Sequence, residues 1–238
     1  MLFGGNYLLY LCFTMPALLL GLYAQFRVKS TYNKYSQIGI RAGYTGAQVA
    51  RSILNQNGLH HIGIEEVGGT LSDHYDPIKK VLRLSNGVFS GRSIAAAGIA
   101  AHEVGHALQH SQKYLPLHLR TVIVPTVRIG SWLGPIMFMG GLFLEYLMAG
   151  SEFGFQIAII GLILFSATAI FSIITLPVEF NASKRARKWL SSTGMLSQDE
   201  IQGVNAILGA ASLTYVAAAM QSIMTILYYS TLLFRRRR

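Results

Sequence analysis

The chain has 238 residues, of which 52% are hydrophobic and 13% charged, with a net charge of +10 and one cysteine, Cys12. Its mean hydropathy is +0.41, and a soluble globular chain carries about 25% charged residues, so much of this surface is expected to face lipid. A single cysteine excludes an intramolecular disulfide and a thiolate metal cluster, and basic runs with no accompanying nucleic-acid motif argue against a nucleic-acid partner.

The elements follow in chain order. Residues 6–26, NYLLYLCFTMPALLLGLYAQF, hold no charge and reach the roughly 20 residues that a span needs. No basic residue precedes them, and Arg27 and Lys29 follow. This suits an uncleaved anchor, residues 1–26, with its N-terminus outside. Residues 27–120 read as the water-facing part. TGAQVARSILNQNGL, 45–59, has helical spacing from a Thr45 cap to Gly58. HHIGIEEV, 60–67, alternates like a strand, and GGTLSDHYDP, 68–77, is rich in turn residues. KKVLRLSNGVFS, 79–90, reads as a strand broken at Asn86-Gly87. It is a candidate edge strand for an extended peptide. An alanine-rich helix is then expected from about Ser93.

Two apolar segments, 121–149 and 155–177, flank the short connection SEFGF and form a transmembrane hairpin, 121–177. A polar helix is expected after Pro177, within 178–203. An alanine-rich apolar helix and the basic tail Arg235, Arg236, Arg237 and Arg238 complete the chain in 204–238. Lys184, Arg185, Arg187 and Lys188 place the 178–205 loop in the cytoplasm by the positive-inside rule, and residues 27–118 on the same side. A single crossing of 204–234 would put the arginine tail outside, so that last crossing stays open.

AAHEVGHALQH, 100–110, carries the chemistry. On a helix, residues four apart share a face, about 5–6 Å apart at Cβ. His102 and His106 can therefore turn ring nitrogens to one ion. Glu103 points beside that ion, where its carboxylate can accept a proton from a zinc-bound water. This is the logic of HExxH. The bland alternative is a histidine cluster without metal. His110 lies two turns beyond His102, about 12 Å along the axis, too far to join the same ion. A third ligand must come from elsewhere. Asp73, His74, Asp76, His60, His61, Glu145, Glu152 and Glu179 are the candidates. Glu179 follows the hairpin on the motif's side, although a carboxylate just after Pro177 would also suit a helix N-terminus without any metal. His74 could steady an oxyanion or simply a turn. Arg185 could pair with a carboxylate or a lipid headgroup.

AAHEVGHALQH, the upstream LSDHYDPIKKVLRLS and the downstream LPVEFNASKRARKWL together resemble the bacterial membrane-bound neutral zinc metallopeptidases often called YugP-like. More distantly, the layout is similar to the heat-shock and prenyl-protein membrane metalloproteases. The resemblance implies one Zn2+ per chain, held by His102, His106 and Glu179, with Glu103 as catalytic base. Two positions depart from the pattern. Asn181 stands where the family carries Asp, and Ser183 where the distant E-x-x-x-D pattern carries Asp. Ser183, one turn after Glu179, can still hydrogen-bond a ligand histidine, though it raises ligand basicity less than a carboxylate.

The expected fold is a mainly α integral membrane protein, with transmembrane helices plus a small α+β zincin-like cytoplasmic metalloprotease domain. The expected function is a zinc-dependent endopeptidase at the cell membrane. Its partners would be the lipid bilayer and a peptide or membrane-protein substrate, with no nucleic acid. The alternatives are a site-two-type intramembrane protease, which would carry HExxH inside a span, and a non-enzymatic metal-binding scaffold or chaperone.

Overall fold

The computed structural model describes residues 4–148 and 150–235. Its elements are α1 (Gly4–Ser36), α2 (Gly46–Gln56), β1 (Gly63–Val67), β2 (His74–Asp76), β3 (Val81–Ser85), α3 (Asn86–Phe89), α4 (Ile94–Ser111), α5 (Leu115–Leu147), α6 (Glu152–Ser192) and α7 (Gln198–Arg235). Among the described residues, four helices are long and apolar enough to cross a membrane: α1, α5, α6 and α7. The motif helix α4 is not among them.

Two compact units form. The first draws on the described residues of Met1–Tyr23, Leu119–Leu176 and Tyr215–Arg238. Large apolar side chains such as Leu19, Leu22, Trp132, Phe143 and Ile163 stay exposed on it, as lipid-facing helices require. Its small interior gathers Phe138, Phe155, Ala158 and Leu233, with Phe138 stacked on Tyr229 at 4.2 Å between ring centroids. Lipid supplies no hydrophobic drive between helices, so small residues that admit close backbone contact do the packing. A glycine seam joins α5 to α6. A Cβ at Gly134 would lie 2.8 Å from the Phe165 nitrogen, and one at Gly141 2.4 Å from the Ala158 nitrogen. Pro16, Pro125 and Pro135 lie inside helices, where spanning segments tolerate them.

The second unit comprises Ala24–His118 and Pro177–Thr214. Thr45 caps α2 through a capping box with Gln48, and Gly58 turns out of that helix at φ +71°. The sheet order is β1-β3-β2, with β1 parallel and β2 antiparallel to β3. On β3, Leu82 and Leu84 are buried, while Arg83 pairs with Asp76 at 2.9 Å and Glu65 at 3.3 Å. Asp73 accepts the Ser85 N–H at 2.7 Å and so fastens the entry to β2. Ser93 caps α4 by accepting the Ala96 N–H. The core combines Val49, Ile53 and Leu54 of α2 with Leu82, Leu84, Val104, Leu108, Leu190 and Val204.

Several expectations change. The 79–90 strand is not an edge: β3 is flanked on both sides, so its backbone is already paired and a peptide cannot add to it. The short β2 lies inside the stretch read as turns. The break at Asn86-Gly87 is the helical turn α3. The anchor helix continues past Phe26 to Ser36. No helix starts at Pro177, because α6 runs through it from Glu152 to Ser192.

The glycine seam makes a prediction. Gly134→Leu should lower the thermal stability of the detergent-solubilised chain by about 1–3 kcal/mol through overpacking. Gly140→Leu, with nothing within 4 Å of its added Cβ, should leave the unfolding transition in place.

Candidate metal centre

The site is built within the second unit, from α4 and the part of α6 that follows Leu176. Each contributes residues four apart: His102 and His106 on α4, Glu179 and Ser183 on α6. Between them the backbones almost touch. A Cβ at Gly105 would lie 2.6 Å from the Ala182 carbonyl oxygen and 3.0 Å from its Cα. Gly105 is three residues after His102 and one before His106. Ala182 is three after Glu179 and one before Ser183. The crossing point therefore lies inside both pairs and directs all four side chains to one place.

Glu179 is 2% exposed, and its Oε2 faces both imidazoles, 3.3 Å from His102 Nε2 and 3.5 Å from His106 Nε2. The ligand atoms of the three residues all lie within 4.8 Å of one another. Donors held about 2.1 Å from a tetrahedral ion stand about 3.4 Å apart, so the two nitrogen-to-oxygen separations fit a metal of zinc's size. The electrostatics agree. Burial works against charge on His106, but Glu179, Glu103 and Gln109 outweigh it and hold its pKa above the ordinary value. The cluster attracts positive charge.

The outward ring nitrogens are also held. Ser183 Oγ lies 3.2 Å from His102 Nδ1, and Gln109 Oε1 lies 3.0 Å from His106 Nδ1. Gln109 donates in turn to the Val178 carbonyl at 2.7 Å and to Asn181 Oδ1 at 3.1 Å. Asn181 Oδ1 also accepts from Arg185 Nε at 2.6 Å, and Arg185 reaches Gln112 Oε1 at 2.6 Å.

The family model described as "Putative neutral zinc metallopeptidase" matches residues 10–234. The chain belongs to this family. It is 48% identical over 222 residues to the "Putative membrane protease YugP" of Bacillus subtilis (strain 168), covering 93% of this chain and 95% of that protein. No solved structure matches. As a member of the neutral zinc metallopeptidases, the chain carries a donor set of two imidazoles and a carboxylate, which suits zinc with one coordination position left open.

The other singled-out residues fall as follows. Glu103 is buried at 8% exposure beside His102 and lies outside the three-residue cluster. His110 also lies outside it and meets the Tyr75 hydroxyl at 2.9 Å. His74 is exposed and its Nδ1–H donates to the Ser72 carbonyl at 2.8 Å, a turn contact. Among the described residues, no carboxylate is a partner of Arg185. It bonds the two amides and lies over the Tyr114 ring at 6.0 Å. Because α6 is continuous through Pro177, Glu179 sits inside a helix, and a helix N-terminus does not account for its carboxylate. Sequence reading missed Gln109. Its one signal was position, three residues after His106 on the same helix face.

Gly105 decides the geometry. Gly105→Ala should push α4 from α6 and reduce zinc affinity more than about tenfold, measured by chelator competition. Gly98→Ala should not, since the three atoms nearest its added Cβ all belong to the Val204 side chain, the nearest 3.3 Å away. Equal affinities for the two variants would contradict a site set by the helix crossing.

Proposed function

We propose that this chain is a membrane-anchored endopeptidase that hydrolyses peptide bonds of protein substrates, with one zinc held by His102, His106 and Glu179. The observation that carries the reading is Glu179: a carboxylate 77 residues from His102 in sequence is brought within 3.3 Å of it. Glu103, in the neighbouring position on α4, completes the set. Zinc bound there would supply Lewis acidity, polarising a carbonyl and acidifying a water. The Glu103 carboxylate takes a proton from the attacking water and hands it to the leaving amine nitrogen as the C–N bond breaks and the new C–O bond forms. Ser183 and Gln109 hold the two histidine rings from behind.

Four apolar helices support a partnership with the lipid bilayer, and peptides or membrane proteins are the substrate class. The Lys184–Lys188 run supports a cytoplasmic catalytic segment, with the N-terminus outside. Placement of the motif on α4, outside the four candidate spans, favours this reading over a site-two-type intramembrane protease. The orientation has a direct test. In a Cys12→Ser background, Ser111→Cys, exposed at the end of α4, should react with an impermeant maleimide in inverted vesicles and not in intact cells. Labelling of intact cells would reverse the topology.

The activity is tested in detergent with zinc per chain and cleavage of a casein-type panel. Wild type should hold one zinc and cleave at least about 100-fold faster than Glu103→Gln. The variant should keep its zinc. A wild type that holds no zinc and is no faster than the variant ends the enzyme reading. A zinc-loaded pair with equal physiological function would instead favour a scaffold.

A further inference from the structure

We propose that Gln109 is a positioning residue that fixes the tautomer of His106, and that Asn181 and Arg185 fix Gln109. The proposal rests on the reading that His106 holds a metal through Nε2. A neutral imidazole carries one N–H and one lone pair, and the hydrogen bond at one nitrogen decides the state of the other. The orientation of the Gln109 amide therefore matters.

That orientation is dictated at both ends. The Val178 carbonyl, 2.7 Å from Gln109 Nε2, can only accept. The Arg185 guanidinium, 2.6 Å from Asn181, can only donate, so Asn181 presents Oδ1 to it. That same Oδ1 lies 3.1 Å from Gln109 Nε2. With its NH2 committed to two acceptors, Gln109 turns Oε1 to His106 Nδ1 at 3.0 Å. An amide oxygen cannot donate, so Nδ1 must carry the hydrogen. When a metal is bound the lone pair is therefore on Nε2, the nitrogen that faces Glu179 at 3.5 Å, and in the stripped site the Glu179 carboxylate competes for a proton there. Flipping the amide would set its oxygen against Val178 O and Asn181 Oδ1 in a site where Gln109 is fully buried, with nothing to offset the lost hydrogen bonds. The relay runs from an arginine at the outer end to a metal-binding lone pair at the inner one. His102 has no equivalent, because its partner Ser183 can donate or accept.

The test uses the full chain in detergent micelles. Tautomers are read on the metal-free chain in a Glu179→Ala background, which removes the carboxylate that competes for the Nε2 proton, with histidines labelled with 15N and His106 identified by the signal lost in His106→Ala; Co2+ affinity is read with Glu179 intact. At a pH where the ring is neutral, the Glu179→Ala chain should show the Nδ1–H form. Gln109→Leu should shift His106 toward Nε2–H and lower Co2+ affinity about 10–100-fold, read from the cobalt absorption bands. Asn181→Asp keeps an acceptor for both Arg185 and Gln109 and should retain the Nδ1–H tautomer. Should Gln109→Leu not fold, Arg185→Met replaces it, with a mixture of tautomers expected. Retention of Nδ1–H and wild-type Co2+ affinity in the folded variant overturns the proposal. A wild type that takes up no Co2+ overturns the metal reading instead, and the tautomer comparison still decides the role of Gln109.

Discussion

The candidate centre depends on a contact between two backbones. Helices that pack through side chains lie about 8–10 Å apart. At Gly105 and Ala182 that separation is not available, since even a methyl group on Gly105 would collide with the Ala182 carbonyl. The short side chains of histidine, glutamate and serine can meet only because of this approach. Each helix places one of its residues three positions before the crossing and the other one position after it, so a single close contact aligns two pairs at once. Both pairs are anchored in regular helix, and the geometry is set before any ligand arrives, as a metal or catalytic site demands.

Burying this many polar groups is costly unless every one is partnered. Glu179, Ser183 and Gln109 are all nearly inaccessible to water. The structure meets the demand by closing the polar groups on each other. Ser183 satisfies His102, Gln109 satisfies His106, and the Gln109 amide spends its hydrogens on a backbone carbonyl and on Asn181. Arg185 ends the chain where the side chain begins to meet solvent. The same bonds tie the C-terminal half of α4 to α6, so the contacts that orient the ligands also hold the helix crossing together.

What the sequence disclosed follows from the range of the interactions. His102, Glu103 and His106 were legible because their relation is local, one turn of one helix. The capped helices α2 and α4 were legible for the same reason, through Thr45 and Ser93. Glu179 could be shortlisted by side and chemistry, but its setting was misjudged. Pro177 suggested a helix start, whereas the ladder of α6 continues past it because tertiary contacts outweigh the loss of one backbone donor. The rank of β3 as the central strand depends on β1 and the three-residue β2, pairings that no local pattern encodes. Nothing local marks Gln109 beyond its place three residues after His106. Only the approach of Val178 and Asn181 from another helix makes it a buried connector.

The amides of that connector add no charge to the centre. A divalent ion beside Glu179 leaves one positive charge, and the neighbouring Glu103 carboxylate offsets it. A further anion beside the histidines would leave the centre net negative. Gln109, Asn181 and Ser183 hold the rings without adding charge. The one full charge in the relay, on Arg185, sits at its outer end, separated from His106 by two amide side chains. Orientation is thus carried inward by hydrogen-bond polarity alone. The charge balance at the centre is left to the ion, Glu179 and Glu103.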